Sequence, residues 1–527
     1  MHYTCLQEEQ EEAYAVMESK LSVRMRGISI LRCWLAIMGS FWLLLGACAD
    51  QGRREYMELD SYDMQDFEPY RELLIEDEFA EHPELIERTV YHLHFEIGDP
   101  PSEIQARARI RFTNSGSEAI REVPFFLYPN LTPGRLDVES LEVDGLGVEP
   151  EFRNRRSQLL VRLPSALEPG QAASILIHYH LSLPVTREGE YGGFGYAGDI
   201  VSLAYCYPII PAYRGWNHPL PVTYGDFIFN EVSFYLVEIS MPEEYILAAP
   251  GIQLGSRRAD GRREVIVAMG PSRDLYLALS RDFVVLSEQV GETEIRSFAR
   301  KEDEAGSQRA LSTAAAALHS FGEHFGIYPY RTLALVSVPF ASYGLEFPGI
   351  IINARRLYDL NQHYNGIPAP VLLESTTAHE VAHQWFYASV GNDQLLEPWL
   401  DEAPTQYATW LYYMDRYGSS AAQGFLQSLY DRWDRVGRAE IPIGGPVSAY
   451  TPKEYAAIVY GRGPLFIHAL CDYMGAEVFD GFFKEYIETF EWGIVDSLEF
   501  EAAAEEACDC QLDDLFDRWV WGLGPQP

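Results

Sequence analysis

Apolar and polar positions alternate in short runs over the first half of the chain. Tyr91-His92-Leu93-His94-Phe95-Glu96-Ile97 has period two, as do Ala106 to Phe112 and Ile175 to Leu183. Asn114-Ser115-Gly116 and Pro169-Gly170 punctuate these runs, and Val232 to Met241 and Leu275 to Leu279 fit further strands. The pattern predicts an all-β domain, a sandwich or saddle, over residues 81–285. His92/His94 and His178/His180 each set two imidazoles on one strand face. Neither pair has a carboxylate or cysteine at ligand spacing, so both are read as half-exposed strand faces.

Past residue 300 the texture changes. Gln308 to Phe325 is Ala-rich with helical character, and Thr332 to Pro339 reads as a buried strand. A loop, Ser342 to Gly349, leads to the apolar stretch Ile350 to Ile352. A helix is expected to open at Pro370 and stop near Gly391. The chain is thus α+β and multidomain, with a mixed α/β domain over 286–527 and no internal repeat.

The N-terminal 80 residues fall outside both patterns. Residues 49–80 carry Asp60, Asp63, Asp66, Glu68 and Glu72 without a sustained apolar period, and are read as an acidic stalk. Residues 1–48 are read as a signal segment whose true start is placed at Met25. Arg26 and Arg32 precede the uncharged run Cys33 to Ala47, too short to span a bilayer comfortably. The run closes on Leu45-Gly46-Ala47-Cys48, which resembles a bacterial lipoprotein box with Cys48 as the lipidated residue. An exported protein is expected, a cell-envelope lipoprotein anchored at Cys48, or otherwise periplasmic or secreted.

Composition adds bounds. The chain has 527 residues, 47% of them apolar, enough for two or three cores. A formal charge of -38 excludes nucleic acid as a partner, because phosphate binding needs the opposite sign. After Cys48 only Cys206, Cys471, Cys508 and Cys510 remain, too few for a disulfide scaffold. The state of Cys508 and Cys510 stays open.

The chemistry lies in His379-Glu380-Val381-Ala382-His383, followed after 18 residues by Glu402. On a helix His379 and His383 lie one turn apart on one face, so two imidazole nitrogens can meet one metal ion. Glu402 can supply a third ligand and leave a position open, as catalytic zinc requires. Glu380, beside them, can take a proton from water. One Zn2+ per chain and a hydrolase follow.

The longer segment His379 to Phe386, with Pro398-Trp399-Leu400-Asp401-Glu402-Ala403, resembles the aminopeptidase N family of gluzincin metallopeptidases. The resemblance implies a thermolysin-like catalytic domain behind the β-domain, with His379, His383 and Glu402 on zinc and Glu380 as general base. Gly344-Leu345-Glu346-Phe347 resembles the family's exopeptidase motif. It implies that Gly344 and Glu346 contact substrate, Glu346 gripping the α-amino group, although Phe347 replaces the usual Asn. Ile458-Val459-Tyr460-Gly461-Arg462-Gly463 is similar to the family's oxyanion segment, which makes Tyr460 the oxyanion donor, with Tyr455 a nearby competitor.

Three departures stand out. Pro404 follows the third ligand; with Asp401 as N-cap it is expected in the first helical turn, where a missing N–H costs nothing. The family's second amine anchor, a Gln or Glu of the β-domain, has no counterpart in Ser202-Leu203-Ala204-Tyr205-Cys206-Tyr207-Pro208. With 67 residues after Tyr460, the large helical C-terminal domain that caps the cleft of many relatives is not expected, and a more open site is. The expected activity is release of N-terminal residues from peptides. The alternatives are a zinc endopeptidase with an open cleft, or a catalytically idle peptide-binding module of the same fold.

Overall fold

A computed structural model describes residues 56–187, 192–212, 224–226 and 228–523; the signal segment and Cys48 lie outside the described residues. The N-terminal half is built on an eight-stranded sheet. Its strand order is Ile252–Ala259, Arg262–Ser272, Ser233–Pro242, Thr89–Ile97, Glu103–Thr113, Ala172–Ser182, Arg135–Val143 and Leu146–Gly147. Thr89–Ile97 pairs with Ser233–Pro242 in parallel, and the other neighbours are antiparallel. Period-two sequence becomes period-two burial: Ile104, Ala106, Ala108, Ile110 and Phe112 face inward while Arg107, Arg109 and Arg111 face out. A four-stranded sheet of Ile246–Ala248, Tyr276–Ser280, Ile200–Ala204 and Phe194–Ala197 and a three-stranded one complete this half. Of the paired histidines, His92 is buried, whereas His94 and His180 meet Glu238 and Glu103.

Residues 56–80 are not a stalk. Leu59, Met64, Phe67, Tyr70, Leu73, Leu74 and Phe79 are buried, and the rings of Phe67, Tyr70 and Phe79 surround Phe234. These anchors sit on short helical turns, Leu59–Ser61, Glu68–Arg71 and Glu78–Glu81, and on the irregular chain between them. Irregular spacing hides them from a search for periodicity. The Ile75 N–H donates to the Pro329 carbonyl and the Arg331 N–H to that of Leu73, fastening the segment to the C-terminal half.

The second half centres on a five-stranded sheet ordered Phe283–Val290, Thr293–Arg300, Thr332–Val338, Ile350–Ala354 and Gly344–Phe347. Thr332–Val338 is buried along its whole length, as a strand flanked by parallel neighbours and covered by helices should be. Gly344–Phe347, expected as loop, is instead a strand on the sheet edge, antiparallel to Ile350–Ala354. Helix Glu304–Phe325 packs on this sheet and on the motif helix, Ala369–Ala382.

The motif helix ends at Ala382, with His383 as its C-cap, rather than near Gly391. Three N–H groups then reach back five residues, Ala388 to His383, Ser389 to Gln384 and Val390 to Trp385, and coil the chain into a wider turn. Tyr387 in that turn adopts φ 119°, costly for a bulky residue. Its N–H donates to Val390, its carbonyl accepts from Arg273 at 2.6 Å, and its hydroxyl donates to Asp274 at 2.6 Å.

Pro404 also differs from expectation. Its helix, Trp399–Tyr417, begins with Pro398 as N-cap, so Pro404 lies inside the helix rather than in the first turn. The start moves upstream because Trp399 is fully buried, with its indole N–H on Ser497. Cys508 and Cys510 form a disulfide with each other, and Cys206 and Cys471 are free. Among the described residues no helix is long and apolar enough to cross a membrane.

Candidate metal centre and active site

The motif helix is buried on nearly every face, so its polar residues need partners. Glu374 accepts from Arg309 and from the hydroxyls of Tyr412 and Tyr417, and Thr377 accepts from Asn353. Gln384 ties the helix end to the edge strand. Its Oε1 accepts the Gly349 N–H at 2.8 Å and its amide donates to the Phe347 carbonyl at 3.1 Å. These bonds fix the helix against the sheet before any metal is considered.

One turn apart, His379 Nε2 and His383 Nε2 face each other at 3.2 Å. Glu402 Oε2 stands 3.3 Å from the first and 3.7 Å from the second. It is buried and accepts no hydrogen bond from the described residues. Tetrahedral zinc with bonds near 2.0–2.1 Å sets neighbouring ligand atoms about 3.3 Å apart. The three atoms therefore already form one face of a zinc tetrahedron.

Tautomers agree. His383 Nδ1–H donates to the Phe386 carbonyl at 3.0 Å, which leaves Nε2 with its lone pair. The Gln406 side-chain amide stands 3.2 Å from His379 Nδ1. The atom facing it is the Gln406 Nε2, while the Gln406 Oε1 meets no donor; with the amide turned over, that carbonyl would accept the Nδ1–H and free the His379 Nε2 in the same way. Burial holds both imidazoles neutral, pushing His383 down to about 4 and His379 well below the usual histidine range.

Carboxylates crowd the other side. Burial first, then neighbouring negative charge, pushes Glu346, Glu380 and Glu402 well above the usual carboxylate range. Oxygens of Glu346 and Glu380 and a ring nitrogen of His383 lie within 4.8 Å of one another. Gln394 donates to both Glu346 (3.1 Å) and Asp401 (2.8 Å). A set of buried acids that press one another toward neutrality is a site that a divalent cation relieves, and the neutral histidines complete it.

Tyr460 lies on a widened helical turn, Ile458–Arg462, and its hydroxyl donates to Glu402 Oε1. The Tyr455 ring packs edge-on against it, with centroids 5.7 Å apart. Gly344 lies directly over Glu380. Phe347, where the resemblance leads one to expect Asn, stacks on Tyr276 at 4.9 Å and meets Tyr205 at 5.3 Å. It thus serves the seam between the halves rather than a polar contact. Sequence reasoning missed the roles of Gln384, which lies inside the motif segment, and of Gln394, Gln406 and Asp226, common polar residues with no motif around them. Burial beside the motif marks the three glutamines, and Asp226 is half-buried.

Residues 309–519 match the sequence profile described as the Peptidase family M1 domain. Aminopeptidase M1-A of Oryza sativa subsp. japonica is 26% identical over 245 residues, 43% of this chain and 27% of that protein. Aminopeptidase N of Rattus norvegicus is 23% identical over 252 residues, 44% of this chain and 26% of that protein. The match thus spans about a quarter of these relatives' length. A solved M1 zinc metallopeptidase mutant from Deinococcus radiodurans superposes with a TM-score of 0.62 at 17% identity, covering 84% of this chain and 95% of that one. The same enzyme's mutant with a bound Tyr-Ser-Ala substrate gives 0.61 at 19% identity, with the same coverage. The fold, the zinc-shaped triangle of His379, His383 and Glu402 and the matched profile agree: residues 309–519 carry a Peptidase family M1 domain, and the chain resembles the aminopeptidase N group of gluzincin zinc metallopeptidases.

Proposed function

We propose that the protein removes residues from the free N-terminus of peptides in a zinc-dependent hydrolysis. One observation carries this: Glu346 lies within 4.8 Å of the Glu380 carboxylate and of a His383 nitrogen. In a peptide the α-nitrogen and the first carbonyl carbon are about 2.5 Å apart. An ammonium held at Glu346 therefore brings the first peptide bond, and no later one, to the base and the metal ligands.

His379, His383 and Glu402 would hold the zinc, which would supply Lewis-acid polarisation of the scissile carbonyl and a more acidic water. Glu380 takes the proton from the attacking water and returns it to the leaving amine. Tyr460, whose hydroxyl now rests on Glu402, donates to the carbonyl oxygen as negative charge develops. Glu346 accepts from the α-ammonium in a charge-assisted hydrogen bond. The peptide-bound Deinococcus relative supports a peptide as ligand.

Matched peptides with free and acetylated N-termini, each with and without chelator, test the assignment. Cleavage of the free-amine peptide alone, abolished by chelator, is expected. Equal cleavage of both would make the protein an endopeptidase, and zinc binding without Glu380-dependent turnover would make it an idle peptide-binding module. We further propose export with lipid attachment at Cys48, on the strength of the Leu45-Gly46-Ala47-Cys48 box. The intact mass of the mature protein decides it: a chain retaining residues 1–47, or lacking acyl mass at Cys48, refutes it.

A further inference from the structure

Glu78 and His82 repeat, outside the active-site motif, the four-residue spacing of His379 and His383. They sit on the short turn Glu78–Glu81, where the His82 N–H donates to the Glu78 carbonyl at 2.7 Å, so both side chains leave one face. Opposite them stands Glu491, the C-cap of helix Ala476–Phe490. A carboxylate oxygen of Glu78, a ring nitrogen of His82 and a carboxylate oxygen of Glu491 lie within 4.8 Å of one another.

The three side chains are held for this meeting. Glu78 is more than nine-tenths buried; its Oε2 accepts the indole N–H of buried Trp492 at 3.0 Å, and its other oxygen accepts nothing from the described residues. His82 Nδ1 faces Glu84 Oε1 at 3.4 Å, which turns Nε2 toward Glu491 Oε2, 3.8 Å away. A carboxylate behind the ring is the usual support of a metal-bound imidazole. Among the described residues neither Glu78 nor Glu491 has a Lys or Arg within ion-pair reach. The charges that act most strongly on Glu491 are those of Glu78, Glu81, Glu76 and Glu488, all negative. A simple ion pair of His82 with Glu491 is the plainer account, but 3.8 Å is beyond hydrogen-bond length, and it leaves the free oxygen of Glu78 unanswered.

We propose that Glu78, His82 and Glu491 form a second divalent-cation site, separate from the His379, His383 and Glu402 centre, that clasps the N-terminal segment to the end of helix Ala476–Phe490. One imidazole nitrogen and two carboxylate oxygens, with water to complete the shell, suit a first-row cation such as Mn2+ or Zn2+; Ca2+ and Mg2+ prefer oxygen alone. Neighbouring ligand atoms on such an ion stand about 3.3 Å apart, so His82 and Glu491 would close by about 0.5 Å. Trp492, which holds Glu78, also donates its backbone N–H to the Ser389 carbonyl at 2.9 Å, in the wide turn behind His383. The cation would brace that turn through one side chain.

The probe is Mn2+ added to protein that already carries one zinc per chain. Mn2+ stands at the weak end of the divalent series and does not displace zinc from a two-histidine centre. Wild type should bind one Mn2+ per chain and keep its zinc, and its unfolding temperature should rise by about 2–3 °C at a hundredfold excess over Kd. Glu491→Gln and His82→Gln should each weaken Mn2+ binding by more than the roughly tenfold that losing an outer partner of a ligand costs, and abolish the shift. Glu488→Gln removes an exposed acid from the same neighbourhood and should change binding by less than about threefold. Equal loss in all three variants, or no saturable binding by wild type, overturns the proposal, because the acidic surface alone would then account for the ion. Electron spin echo of Mn2+-loaded wild type decides the matter without any variant. Coupling to one imidazole nitrogen is expected; coupling to none, or to two with release of zinc, overturns it.

Discussion

Gly344 and Glu380 meet so closely that a β-carbon at position 344 would stand 2.2 Å from the Glu380 carboxylate oxygen. The edge strand can cross over Glu380 only where it has no side chain. Gly344→Ala should therefore displace Glu380 while leaving the metal ligands in place. A fall in kcat of roughly a hundredfold is expected, the scale of an ångström's misplacement, with one zinc per chain retained. Wild-type kcat in this variant would contradict the packing described.

Glu380→Gln keeps shape and removes the proposed base. Its kcat should fall by about 10²–10⁴ with zinc content unchanged, read by turnover of a free-amine peptide and by metal analysis of the same sample.

Tyr460→Phe removes the hydroxyl that rests on Glu402. A loss of about 10²–10³ in kcat with little change in KM is expected for an oxyanion donor. Tyr455→Phe is the control, because that ring packs against Tyr460; its kcat should stay within about threefold. Reversal of the two results would move the role to Tyr455.

Arg273 is buried and donates to the carbonyls of Tyr387, Asn230, Ser389 and Gly493. Gly391 lies against it so tightly that a β-carbon would stand 2.3 Å from the guanidinium carbon. Arg273→Met would strand those carbonyls and release the turn behind the second histidine. A loss on the order of 4 kcal/mol in unfolding free energy is expected. Denaturant melts check it, and a loss below about 1 kcal/mol would show that the carbonyls find other partners.

Burial first, then the charges of Glu78, Glu81, Glu76 and Glu488, pushes Glu491 up to about 8. An unfolded glutamate titrates near 4.3, so the folded protein holds this proton more tightly. The resulting stability is fully present below about pH 4.3 and is lost as pH rises toward 8. The unfolding temperature should drop between pH 5 and pH 9, and Glu491→Gln should make that drop shallower. Parallel curves for the two proteins would rule Glu491 out as the cause.

How much of this was legible beforehand depended on the kind of order involved. Strand periodicity in Glu103–Thr113 and ligand spacing at His379, His383 and Glu402 are local, and local order survives in a one-dimensional reading. The start of the Glu402 helix was misplaced because the burial of Trp399 against Ser497 overrode the capping preference of Asp401. The end of the motif helix was misplaced because Arg273, more than a hundred residues away, holds the turn at Tyr387. Asp226 could not be seen at all. Its neighbours Tyr224 and Ile228 are held by Tyr450 and Gln394, contacts between halves of the chain that no local pattern records.

The aromatic anchors of residues 56–80 also bear on how the protein can be handled. A recombinant piece begun at residue 81, where the alternating pattern first becomes visible, would leave Phe234 bare of Phe67, Tyr70 and Phe79. It would expose a sticky apolar face on the sheet that carries Ser233–Pro242. That strand begins just past the loop that carries Asp226. Trimming the N-terminus for convenience would thus loosen the sheet next to that loop, and a poorly soluble or inactive fragment would say nothing about the whole protein. Preparations meant for kinetics should begin no later than Tyr56.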